Sequence, residues 1–193
     1  MDKDSRALRL RTNLYRMYQG QLTFLIGSVA GSLSLPLFSR LPPLATVFGG
    51  LGVLLALVGA IVYLAGLILA CSAHPDFSNA LVVVVIQFIV NLFDSFLLMD
   101  LIGAVLNAVA VYFVLQAADA CLEEWGCLAL RERSRRAARA NVISCAVYLA
   151  AALVIHFTPS LGGMALAALV SLAFTIWATV LYMGYLKGSS RVF

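Results

Sequence analysis

The residues of this chain whose types and spacing come nearest to chemistry are Gln87, Asn91 and Asp94, embedded in the apolar stretch QFIVNLFDSFLLMD. Spaced i, i+4 and i+7, they fall within about 60° of one another on a helix and form one polar stripe. If that helix starts near residue 80, a rise of 1.5 Å per residue sets Gln87 about 10 Å, Asn91 about 16 Å and Asp94 about 21 Å along it. The same arithmetic, applied to a helix starting near 101 and another near 141, brings Asn107 and His156 to a depth of about 21 to 22 Å. Ionisable groups at such depth in a bilayer are costly and face a bundle interior or a wet cavity with a partner. The spacing therefore predicts a polar chamber in the outer half of a membrane bundle. Asp94 supplies its charge, His156 is a proton acceptor near neutral pH, and Asn107, Asn91 and Gln87 provide a hydrogen-bonding lining. The plainer reading of the same residues is that Asp94 snorkels to an interface while the amides tie helices together.

The elements that must position these groups follow from composition. At 63% hydrophobic and 11% charged, with a mean hydropathy of +0.99, the 193 residues lack the polar surface of a water-soluble fold. The long Leu, Ala and Val runs have no strand-like alternation, which excludes an outer-membrane barrel and predicts an all-α polytopic transmembrane helical bundle. Six spans are expected, at 21–39, 44–70, 80–98, 101–118, 141–157 and 164–186, within a transmembrane domain covering 21–187. Breakers mark most boundaries: LPP at 41–43, CSAHPDFSN at 71–79, RERSRRAARAN at 131–141 and TPSLGG at 158–163. Residues 80–120 are nearly continuous apolar chain, too long for one crossing, so a tight turn near Met99 to Leu101 is expected, with Asp100 at the bend.

Charge placement gives the orientation. With six spans and both termini cytoplasmic, every Lys and Arg except Arg40 lies on the inner side, twelve of thirteen. The expected location is a plasma membrane of the bacterial inner-membrane type. SLPLFSR at the end of the first apolar run offers no A-x-A-like cleavage site, so that helix is expected to stay. Residues 1–20 mix Leu8, Leu10, Leu14, Met17 and Tyr18 with Arg6, Arg9, Arg11 and Arg16, as a basic amphipathic helix on the inner surface does before the chain turns in near Gln21. Residues 119–140 form a basic cytoplasmic loop or helix extension. In it Asp119 and Glu123 stand at helical spacing, Trp125 is an interface anchor, and Arg131, Arg133, Arg135, Arg136 and Arg139 are placed to bind lipids or a protein partner. Nucleic acid is not expected, because these arginines lack interleaved aromatics.

Other constellations are weaker. Cys71, His74 and Asp76 share one loop and bring a thiol-protease set to mind, but the small membrane peptidases that process quorum-sensing peptides carry His before Cys at longer spacing. Cys121 and Cys127 form C-x5-C without a nearby His, unlike a zinc knuckle, and all four cysteines are expected reduced. No catalysis, metal or cofactor is expected. Gly27 with Gly31, and Gly52 with Ala56 and Ala60, are small residues four apart that let helices approach closely, within one chain first and in a homo-oligomer second. In size, helix count and cytoplasmic termini the chain resembles the substrate-binding subunits of energy-coupling-factor vitamin transporters; no motif matches residue by residue, so no site transfers. Two roles are thus expected. One is small-solute binding or transport through the chamber around Asp94. The alternative is a non-catalytic accessory or regulatory subunit that docks lipids or a cytoplasmic partner through its arginines.

Overall fold

A computed structural model describes residues 3–38, 42–91, 97–157 and 160–192. Six long helices account for nearly all of them, and no strand occurs among the described residues. The helices are α1 (Lys3–Phe38), α2 (Pro42–Ala70), α3 (Pro75–Asn91), α4 (Leu97–Glu124), α5 (Arg131–Phe157) and α6 (Leu161–Ser189). Four of them, α2, α4, α5 and α6, are long and apolar enough to cross a membrane, while α3 at 17 residues is shorter. The chain divides into two units, one ending at Ala70 and the other running from Cys71 to Val192.

The first unit is an antiparallel hairpin of α1 on α2. Its seam is built from Gly20 and Gly27 on α1 and Gly52, Gly59 and Gly66 on α2, where an added Cβ would come within 3 Å of facing atoms, mostly backbone. Gly20 faces Gly59 and Tyr63, Gly27 faces Gly52 and Ala56, and Gly66 faces Asn13 and Met17. The α2 seam thus repeats every seven residues, at 52, 59 and 66, rather than every four through Ala60. A seven-residue repeat stays closer to the helical period than an indefinite four-residue one and keeps the small residues on a single side. The turn expected near Gln21 is not formed, since α1 passes through it unbroken. Leu10, Leu14 and Met17 are buried, so this part of the basic segment gives its apolar side to packing rather than to a lipid surface.

In the second unit each helix packs on its neighbour in sequence, α3 on α4, α4 on α5 and α5 on α6. Helix α3 starts at Pro75, five residues before the expected position. Proline at a first helical position gives up an N–H that has no intrahelical partner anyway. Asp76 adds a carboxylate to the positive end of the helix and accepts from Asn79 Nδ2 at 3.1 Å. The polar loop read as a breaker is therefore a start signal. Helix α4 begins at Leu97 and continues through Met99 to Leu101, so Asp100 lies within a helix and not at a bend. At its far end Gly126, with φ 70°, closes the helix: its N–H donates to Glu123 O at 3.0 Å and Cys127 N–H donates to Leu122 O at 2.9 Å. This pair of bonds is a Schellman motif, which requires the left-handed residue that glycine supplies most readily. A single 3-10 turn, Leu128–Leu130, leads into α5, whose first nine residues are the arginine run in helical form. At the start of α6, Ser160 Oγ accepts from Gly163 N–H at 3.0 Å and caps the helix.

Candidate functional site

Asn107 and His156 do not fall at one level as the depth arithmetic predicts. Gln87 is half-buried on α3 and Asn91 is the last residue of that helix, while Asp94 lies outside the described residues. Asn107 and His156 are both exposed, the His156 ring meeting Phe157 edge-on at 5.0 Å between centroids. Two contacts set the register of α4 against α5: Asn141 Nδ2 donates to Ala108 O at 3.1 Å, and Cys145 Sγ lies 3.7 Å from Ala104 O. Residues in that antiparallel pair are level when one rises by four as the other falls by four. Asn107 is then level with about residue 142, and His156 stands roughly 21 Å further along the pair at 1.5 Å per residue. The two share no layer, because α4 starts earlier than expected and α5 runs ten residues before its apolar part begins.

The polar side chains inside the apolar part of this unit hold helices together. Beyond the Asn141 bond, Ser144 Oγ and Thr175 Oγ1 lie 3.5 Å apart between α5 and α6, and Thr175 Oγ1 also donates to Ser171 O at 2.9 Å. Each hydroxyl or amide so used replaces an unsatisfied group in hydrocarbon with an interhelical tie. At the loop leading into α3, His74 Nδ1 accepts from Asp76 N–H at 3.3 Å and stands 3.6 Å from Asp76 Oδ2. That engagement places the imidazole at the head of a helix, where it caps.

Polar groups converge instead at the end of the unit that carries the arginines. An open cavity of about 370 Å³ lies between the last turns of α4 and the first turns of α5. Asp119 and Glu123 line it from α4, and Arg131 and Arg135 line it from α5. Spacings of four residues put each pair on one helical face, so two carboxylates look across the space at two guanidinium groups. Tyr112, Leu115 and Ala138 make its apolar part, with Gln116 between the two chemistries. The cavity therefore reaches from the charged last turns of α4 toward its apolar part, while its α5 wall lies within the arginine run.

The cavity wall is anchored from behind. The Tyr185 hydroxyl of α6 donates to Asp119 Oδ1 at 2.6 Å, with the Tyr185 ring only 1% exposed. A charge-assisted bond of this length fixes Asp119 in place and ties α4 to α6. Ser134, 3% exposed, is one of the cavity residues and neighbours the same phenol. Ser189 Oγ is buried close by but falls outside hydrogen-bonding geometry. Arg133 points elsewhere: its Nη1 lies 3.6 Å from where a Gly188 Cβ would stand, beside the last turn of α6, whose exposed carbonyls favour a cation. Arg136 binds Glu132 at 2.6 Å on the solvent side of α5. All five arginines are exposed, and Arg131, Arg135 and Arg139 follow one face of the helix opposite the buried Ser134, Ala137 and Ala140. Of the residues around this cavity, Asp119, Glu123, Arg131 and Arg135 were legible as charged positions at helical spacing; Tyr185, Ser134 and Gln116 carried no signal, since nothing in a sequence pairs residues 66 positions apart.

No protein-family model matches the chain, and no curated protein or solved structure matches it.

Proposed function

We propose that the chain is a six-span membrane protein of the bacterial plasma membrane, with both termini cytoplasmic, that serves as a non-catalytic membrane subunit docking lipids through its arginine-bearing end. The observation that carries this reading is the row of exposed arginines on the first turns of α5, a rigid helix rather than a loose loop, directly below the apolar part of the same helix. A guanidinium near an anionic membrane surface is worth about 1 kcal/mol, and Arg131, Arg135 and Arg139 on one face act together on the headgroup layer. The excess of Lys and Arg on one side of the six expected spans supports the same orientation. The alternative of a solute chamber loses its support from height, since Asn107 and His156 are about 21 Å apart along the α4 and α5 pair.

The test is native mass spectrometry of the full chain released from mild detergent with phosphatidylglycerol present. The triple substitution Arg131→Gln, Arg135→Gln and Arg139→Gln is expected to remove most of the anionic lipid adducts while membrane insertion is unchanged. Equal adducts in the two proteins would rule the reading out.

A further inference from the structure

The α4 and α5 cavity has a feature that a purely anion-binding surface does not need. Two carboxylates, Asp119 and Glu123, line the same space as Arg131 and Arg135. A ligand carrying only negative charge would gain from the arginines and lose to the carboxylates. A ligand carrying only positive charge would meet the reverse. A zwitterion with its two charges a few bonds apart satisfies both walls at once, and so suits the cavity better than either.

Three further properties narrow the ligand. First, Tyr112 and Leu115 extend the cavity toward the apolar part of α4, so an occupant that is polar at one end and hydrocarbon at the other matches it along its length. Second, the cavity is open and has a volume of about 370 Å³, at the lower end of the ligand-pocket range of about 300 to 1,000 Å³, enough for a headgroup whose chains stay in the bilayer. Third, the negative wall consists of hydrogen-bond acceptors, and among the described residues that line the cavity Tyr112 alone is aromatic. A primary ammonium offers three N–H donors to such a wall, whereas a quaternary ammonium offers none and depends on an aromatic cage. We infer that the cavity is a binding site for a zwitterionic phospholipid with a primary ammonium headgroup, of the phosphatidylethanolamine type. The phosphate sits on Arg131 and Arg135, and the ammonium on Asp119 and Glu123. This inference rests on the lipid-docking reading above and adds selectivity to it: Arg131 and Arg135, two of the three arginines of that face, hold the zwitterion in the cavity, and Arg139, outside the cavity, is left to anionic headgroups.

Glu123 provides the test, because it is exposed and its exchange leaves the part-buried Asp119–Tyr185 bond intact. The full chain in mild detergent is titrated with equal amounts of phosphatidylethanolamine, phosphatidylcholine and phosphatidylglycerol of matched acyl chains, and adducts are counted by native mass spectrometry. The unaltered protein is expected to retain phosphatidylethanolamine over phosphatidylcholine. In Glu123→Gln the ratio of phosphatidylethanolamine to phosphatidylglycerol should fall about fivefold, the change that one near-surface charge supplies. Arg139→Gln, outside the cavity, should lower phosphatidylglycerol adducts and leave the preference for ethanolamine over choline as it was. Equal retention of the ethanolamine and choline lipids, or an unmoved ratio in Glu123→Gln, overturns the site. Displacement of the lipid by free phosphoethanolamine at the same concentration overturns the lipid assignment in favour of a soluble zwitterion. Loss of the Arg139 effect alone, with the Glu123 effect intact, removes the broader arginine-face reading and leaves the cavity standing.

Discussion

The α1–α2 hairpin and the four-helix unit solve one problem by different means. In lipid, helices gain no hydrophobic drive by meeting, so they must be held by close packing or by hydrogen bonds. The hairpin uses glycine: at Gly20, Gly27, Gly52, Gly59 and Gly66 the facing chain comes so near that a methyl group would not fit. The four-helix unit uses side-chain bonds between neighbours, Asn141 to the Ala108 carbonyl, Ser144 to Thr175, and Tyr185 to Asp119. A glycine seam leaves no space between its helices. A bonded pair can diverge beyond the bond, and among the described residues a cavity lies in the second kind of assembly, between α4 and α5 near Asp119 and Arg131. Function in this molecule is therefore expected where packing is looser.

The strongest way to break the comparison is to add volume to the glycine seam. Gly59→Leu should destabilise the hairpin by about 1 to 3 kcal/mol or more, the usual cost of overpacking, because even its Cβ collides with the backbone of Phe24 and Gly20. Gly50→Ala, on the same helix with nothing within 4 Å, should be neutral or slightly stabilising. Thermal denaturation in detergent compares the two, and similar midpoints would mean that the seam is not what holds the unit. Next comes Tyr185→Phe, which takes the donor from Asp119 and should cost about 1.5 to 3 kcal/mol, as for other bonds to charged groups. The same denaturation assay reads it, and restored stability in Tyr185→Phe with Asp119→Leu would identify the uncompensated carboxylate as the source of the loss.

Smaller effects sharpen the contrast. Asn141→Ala should cost about 0.6 kcal/mol, the average for one interhelical bond in a membrane, and Gly59→Leu should exceed it clearly. At the bottom of the scale is the Glu132–Arg136 pair, which is fully in solvent and separated by one turn. The Arg136 hydrogen bond holds the Glu132 carboxyl below its ordinary range, so any stability it adds is present above that range and fades as the pH falls through it. Exposure and salt screening reduce that contribution, and Glu132→Gln is expected to leave the denaturation midpoint unmoved at neutral pH.

Much of this architecture was legible before any coordinates. Long apolar runs and their breakers placed helices near the observed ones, and Gly27, Gly31, Gly52 and Ala56 were readable as small residues at close contacts, which they are. The seven-residue repeat that brings in Gly59 and Gly66 was harder to see, since a single helix does not reveal which side its partner occupies. The shared depth of Asn107 and His156 failed for a related reason. It depended on where each helix begins, and a start shifted by four or five residues moves a side chain by about 6 to 8 Å.

The sequence by itself determined that this is a helical chain with segments apolar enough to cross a membrane, that its charge is gathered at a few places, and that glycine marks its tight contacts. Those properties are local: they follow from the residues in one turn and from the solvent each face can tolerate. Which charges face one another was decided only by the tertiary structure. The Schellman turn at Gly126 reverses the chain, brings Asp119 and Glu123 opposite Arg131 and Arg135, and lets Tyr185 reach Asp119 from a helix 66 residues away. That pairing depends on a register between helices, which is set by the sum of many weak contacts along their length and is written in no single stretch of the chain.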